Sequence, residues 1–205
     1  MTQANPILRT GRKFAQVLEG ARKVFLADGF EGASVDDIAR AAGVSKATLY
    51  SYFPDKRLLF MEVARTECLR QAEESMELID TCAPPRDVLF MAARRMIGFI
   101  LSRFGQQVFR LCVAEADRFP ELGRHFYESG PMVVRARMRD YFADAVERGE
   151  LQITDFDLAA DQFAELCKAD LFPRLVFNID SAFSDAEIER VIGGAVETFM
   201  ARYGV

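Results

Sequence analysis

Ser34-Val35-Asp36-Asp37-Ile38-Ala39-Arg40-Ala41-Ala42-Gly43-Val44-Ser45-Lys46-Ala47-Thr48-Leu49-Tyr50-Ser51-Tyr52-Phe53 reads as two short helices and the turn between them. The Ser34 hydroxyl is placed to accept from the N3 amide while Asp37 reaches back, as in a capping box. That helix lasts to about Ala42, where Gly43 ends it and reverses the chain without a Cβ clash. Ser45 then caps a second helix running to about Phe53. Val35, Ile38, Ala39, Val44, Leu49 and Phe53 fall on the inner side, with Ala39 as the small residue that a steep crossing needs. Two helices of about eight residues joined by Gly43-Val44 have the spacing of a helix-turn-helix. The other face of the second helix carries Lys46, Ala47, Thr48, Tyr50, Ser51 and Tyr52, a mixed surface suited to base edges, thymine methyls and phosphates. The plainer alternative for it is a solvated helix face with two half-buried tyrosines.

Outward from this stretch, nearly every segment has helical periodicity and none shows sustained alternation. Residues 10–28 form a first helix with the stripe Phe14, Val17, Ala21, Val24, Phe25, closed by Gly29. After Pro54-Asp55 a long helix covers 56–80, and Pro84-Pro85 opens another reaching about residue 103. A shorter helix over 106–118 is interrupted by Phe119-Pro120, Pro131 opens one that runs to 148, and 151–154 make an extended link. The last two helices are expected at 157–178 and 185–202, the second with a full capping box in Ser184-Asp185-Ala186-Glu187. This predicts an all-α chain: a three-helix head over 10–60 joined through a continuous helix to a larger helical body over 61–205.

Composition narrows the function classes. Half of the 205 residues are hydrophobic and 28% are charged, which supports a packed core. The sequence holds no apolar run long enough for a membrane span, and its N-terminus lacks the apolar region of a signal peptide. A cytoplasmic protein with no membrane partner is therefore expected. Cys68, Cys82, Cys112 and Cys167 are scattered, so neither a zinc site nor a disulfide framework is predicted. With His125 as the single histidine, and no nucleophile–base pair, metal cluster or phosphate loop, neither an enzyme nor a bound cofactor is expected. The net charge of −5 divides unevenly, +3 over residues 1–60 and −8 over the rest, as it would if one end met phosphate.

From Ser34 through Pro54-Asp55-Lys56 the chain resembles the DNA-binding signature of the TetR family, and Ala27-Asp28-Gly29-Phe30 is similar to the end of that family's first helix. The resemblance covers roughly residues 10–65. Residues from about 118 to 177 are similar to the AefR-like C-terminal regions of some members. It implies that Ser45 aims the recognition helix at DNA, that Lys46, Thr48, Tyr50 and Tyr52 touch phosphates and bases with Ala47 and Ser51 on the same face, that Lys56 clamps a phosphate, and that Ser34 marks a second helix N-terminus meeting the backbone. Arg9, Arg12 and Lys13 would be an N-terminal arm or simply a loose tail. The face lacks Arg, Asn and Gln, so readout falls to Lys46 and the tyrosines, helped by DNA shape.

The resemblance further implies a ligand-responsive repressor, with activation left open, that binds a palindromic double-stranded operator as a homodimer. The dimer candidates are Phe163, Leu166 and Leu171 (with Ala169 and Val176) and the stripe Ile188, Val191, Ile192, Ala195, Phe199, with Gly193-Gly194 marking a close approach; an ordinary monomer core is the alternative. A small apolar or aromatic effector would lie among the Phe and Met residues of the body, with Phe99, Cys112, Glu115, Arg118, His125 and Tyr127 as candidate pocket residues. A helical interaction scaffold would explain the body but not the tyrosine-bearing helix.

Overall fold

In the computed structural model, residues 11–77 and 80–205 are described, and the structure is all-α. Arg9 and residue 10, the expected start of the first helix, lie outside the described residues. In chain order the helices are α1 (Arg12–Gly32), α2 (Val35–Ala42), α3 (Lys46–Tyr52), α4 (Lys56–Glu77), α5 (Pro85–Leu101) and α6 (Arg103–Ala114). They continue as α7 (Pro120–Ser129), α8 (Pro131–Glu147), α9 (Phe156–Cys167), α10 (Leu171–Val176) and α11 (Asp185–Tyr203). The chain divides into two compact units: residues up to Glu67 with Gln107–Phe126, and Cys68–Gln106 with Tyr127–Val205. Gln107–Phe126, distant in sequence, falls in the same unit as the head.

In the first unit, Phe14, Val17, Ala21 and Phe25 of α1 are buried, as the stripe predicts. The helical backbone breaks at Gly29, whose φ of 76° and ψ of −178° suit glycine alone. A tighter constraint sits at Gly20: a Cβ there would lie 2.5 Å from the backbone nitrogen of Ala42, so α1 and α2 cross with their backbones nearly touching. Ile38, Leu49, Phe53, Leu59 and Phe60 are fully buried, and Phe60 meets Phe25 edge-on at 4.9 Å between ring centres. Each such side chain contributes about 1.5–3 kcal/mol through burial.

Gln107–Phe126 joins this unit through three anchors. The Gln107 Oε1 accepts from the Phe30 amide at 3.2 Å. Val108, Cys112 and Leu122 are buried. Arg57 donates to both carboxylate oxygens of Glu115 at 3.0 Å while its other nitrogens hold Asp55. Pro120, which the pattern reads only as an interruption, is the first residue of α7, where a missing amide costs nothing.

The second unit buries Leu89, Ala93 and Ile97 of α5, Met138, Phe142 and Ala145 of α8, Ala159, Phe163 and Cys167 of α9, and the inner face of α11. Phe142 stacks on Phe199 at 5.1 Å, and Phe163 meets the same ring edge-on at 5.2 Å. An isolated antiparallel bridge, Leu151 to Gly204, ties the residues after α11 to the extended link. The helix expected over 157–178 is two helices. Asp170 takes a left-handed φ of 65° between them. Pro173 explains the break, having no amide to bond back to Ala169 and a ring that would meet its carbonyl. The capping box of α11 forms as expected, the Glu187 amide donating to the Ser184 hydroxyl and the Ser184 amide to the Glu187 carboxylate.

Candidate nucleic-acid interface

The face of α3 is built from its cap outward. Ser45 stays extended and its Oγ accepts from the Thr48 amide at 3.1 Å, with the Thr48 hydroxyl 2.9 Å away. Leu49 and Phe53 pin the helix from below, and this rotation leaves Ser45, Lys46, Ala47, Tyr50 and Ser51 exposed. Tyr50 is 47% exposed and points off the head. Tyr52 is half-buried, its ring 5.8 Å from Phe14 in an edge contact, so part of it serves packing. The Ser51 hydroxyl donates back to the Thr48 carbonyl at 2.6 Å.

α2 supports this helix. Its N-cap Ser34 is exposed and accepts from the Asp37 amide at 3.0 Å. Asp37 does not complete the box through the Ser34 amide. It accepts from the Ser34 hydroxyl and, at 2.7 Å, from Arg40, and both contacts hold its carboxyl below the usual range. Gly43 closes α2 in the left-handed region at φ 63°. Lys46 reaches from α3 to Asp36 of α2 at 2.6 Å, a pairing that raises its ammonium above the ordinary lysine value.

Lys56 is not placed as a free phosphate clamp. Its Nζ donates to the Phe30 carbonyl at 2.8 Å and the Ala33 carbonyl at 3.1 Å and sits 4.4 Å from the Phe30 ring centre. It ties the start of α4 to the corner between α1 and α2. Arg12 and Lys13 are exposed at the start of α1.

The candidate effector residues are shared between the two units: Phe99 and Tyr127 belong to the second, and Cys112, Glu115, Arg118 and His125 to the first. Within the first, Cys112 is buried with its sulfur 3.7 Å from that of Met61, and Glu115 holds Arg57. Arg118 is exposed and lies over the Phe119 ring, while His125 is half-buried. Tyr127 is 45% exposed and its hydroxyl accepts from Arg135. What the pattern missed is Tyr141, whose hydroxyl is buried without a hydrogen-bond partner and is pushed up to about 12 by that burial.

The stripe expected at a dimer interface faces inward in the second unit. Phe163, Leu171, Val191, Ile192, Ala195 and Phe199 are buried in the core of their own chain, and Leu166 and Ile188 pack against that core. A periodic apolar face states that it will be covered, not by which chain. Among the described residues no His, Cys, Asp or Glu group is arranged to hold a metal, and no helix is long and apolar enough to cross a membrane.

Two family models match the chain: bacterial regulatory proteins of the tetR family over residues 17–63, and the C-terminal domain of AefR-like transcriptional repressors over 87–205. A solved TetR-family transcriptional regulator from Mesorhizobium loti is 32% identical with a TM-score of 0.82, over 95% of this chain and 98% of that one. The flavonoid-responsive regulator FrrA is also 32% identical, with a TM-score of 0.68 and the same coverage. The transcriptional repressor AcnR of Corynebacterium efficiens is 40% identical over 62 residues, which are 30% of this chain and 33% of that relative. A capped, outward-facing second helix on a helix-turn-helix, carried by a helical body, defines a DNA-binding transcriptional regulator. Specifically, the chain belongs to the TetR family, with an AefR-like C-terminal domain.

Proposed function

We propose that the chain is a ligand-responsive repressor that binds a two-fold symmetric operator as a homodimer in the cytoplasm. The observation carrying the reading is the face of α3, where Ser45, Lys46, Ala47 and Tyr50 are exposed on a helix pinned from beneath by Leu49 and Phe53. A head this small buries little surface on DNA, so two copies on one operator are needed for tight binding. With the inner stripe used in the core, the partner meets the outer side of the last helices. Phe177 and Ile179 there are 76% and 69% exposed, and a Cβ on Gly193 or Gly194 would meet nothing within 4 Å. Arg174, bonded to Asp180, Asp170 and Glu187, holds the loop that presents the two apolar side chains.

The effector is a small aromatic molecule bearing a polar group. FrrA, 32% identical over nearly its whole length, is described as flavonoid-responsive. The unsatisfied Tyr141 hydroxyl is the polar handle, since a buried hydroxyl without a partner is rare and asks for a reason. Effector binding then favours a state in which the heads no longer fit adjacent major grooves.

Selection of bound fragments from random DNA tests the reading. A two-fold site with half-sites about 10–10.5 base pairs apart, or a multiple, is expected. Flavonoids titrated onto that complex release the wild type, and Tyr141→Phe needs higher concentrations. Recovery of no common sequence, or a complex indifferent to every aromatic tried, argues against the repressor and its effector respectively.

A further inference from the structure

The stretch 34–53 contains two acidic and two basic residues, and the structure pairs them off. Arg40 meets Asp37 on its own helix at 2.7 Å, and Lys46 meets Asp36 across to α2 at 2.6 Å. The next two cations are also engaged, Lys56 by the carbonyls of Phe30 and Ala33 and Arg57 by Asp55 and Glu115. Residues 34–53 thus carry no net charge and each of their two cations already holds a carboxylate, although nucleic-acid binding ordinarily draws much of its strength from free cations meeting phosphates.

Asp37 has a local duty at the cap of α2. Asp36 does not share it: its Oδ1 leaves α2 for Lys46, the single basic residue of α3. Both members are more than half exposed, at 53% and 60%, and an exposed pair of this kind contributes little to folding. An ammonium has three donors, so Lys46 keeps two while Asp36 holds one. Held this way it is an oriented hydrogen-bond donor rather than a mobile counter-ion. Guanine O6 and N7 in the major groove are uncharged acceptors and leave the pair intact. A phosphate must instead compete with a carboxylate already in contact.

Building on the DNA-reading role of α3, we infer that Asp36 is a specificity-determining residue: it discounts the charge of Lys46 on arbitrary duplex while aiming the same group at a base edge on the operator. The experiment measures wild type and Asp36→Asn on two probes, the duplex recovered by selection and a mixed-sequence duplex of equal length, across a salt series. Asp36→Asn is expected to bind the mixed-sequence duplex about tenfold more tightly near 100 mM salt, with a salt slope steeper by about 0.9 for each phosphate newly neutralised. Operator affinity rises by less, so the preference for operator falls. Lys46→Ala placed on Asp36→Asn abolishes the gain. An unaltered preference and slope in Asp36→Asn would overturn the inference, as would a gain that survives Lys46→Ala. Thermal unfolding of Asp36→Asn unchanged from wild type shows that the comparison is between folded heads. A wild type that prefers no sequence defeats the DNA-reading role itself and is recognised before any variant is made.

Discussion

Tyr50 and Tyr52 stand two positions apart on one short helix and have different tasks. Tyr50 projects from the head, so Tyr50→Ala is expected to cost about 1–3 kcal/mol of operator binding while leaving the unfolding temperature almost unchanged. Tyr52 leans on Phe14, so Tyr52→Ala also removes about 0.5–1.5 kcal/mol of ring packing from the fold. Binding titrations with thermal unfolding separate the two; equal destabilisation by both would refute the assignment. At Gly20, an added methyl meets the Ala42 backbone, and Gly20→Ala should destabilise the head by about 1–3 kcal/mol despite alanine's better helix propensity. That contact was not legible in the sequence, because a glycine inside an amphipathic helix does not announce which backbone crosses it. The outward face of α3 was legible, because Leu49 and Phe53 fix the rotation of a seven-residue helix and leave its other side no choice. Thiol chemistry offers a separate check. Cys82 is exposed and Cys68, Cys112 and Cys167 are buried, so one thiol should react quickly in the native protein and four after unfolding.

Among the elements, caps and most breaks carried over from sequence to structure, Gly43, Pro84-Pro85 and Pro131 each standing where a helix ends or begins. Ser34, Ser45 and Ser184 each cap the helix they were expected to cap, because a cap involves only residues three apart. Ser184→Ala is expected to cost about 1 kcal/mol of stability, read from denaturant unfolding, and no change would mean that α11 is held by packing alone. Pro120 and Pro173 were harder to read. The same residue type that stops one helix starts another, and whether a helix resumes depends on anchors such as Leu122 and Leu171 finding a core. Lys56 has a packing role that its position in the motif does not reveal: its ammonium bonds the carbonyls of Phe30 near the end of α1 and of Ala33 just after it. Lys56→Ala should therefore lower the stability of the head as well as any DNA affinity. The pairing of Arg57 with Glu115, 58 residues away in sequence, has no local signal at all.

For the whole molecule, the all-α plan was readable from periodicity, whereas the grouping of Gln107–Phe126 with the head and the inward use of the α11 stripe depend on tertiary packing. Burial gives the protein an alkaline limit. The Cys167 thiol and Tyr141 hydroxyl are both pushed up to about 12, from ordinary values of 9.0 and 10.0, because burial disfavours their charged forms. The folded state keeps these protons longer than the unfolded one, so stability is full below about pH 9 and falls as pH climbs toward 12. Denaturant unfolding between pH 8 and 11 should show this decline, shallower in Tyr141→Phe, and a flat profile would remove the claim. Self-association belongs to the same scale. Phe177→Ser with Ile179→Ser should shift sedimentation toward the monomer, and an unchanged dimer would place its interface elsewhere. The central claim is that α3 lies along the major groove, and Ala47 is an exposed position on it at which to ask directly. Ala47→Cys, placed on Cys82→Ser and labelled with a thiol-reactive photocrosslinker, should attach to operator DNA at two places about 34 Å or a multiple apart. Crosslinks that spare the DNA under conditions where the complex is fully formed would contradict the account.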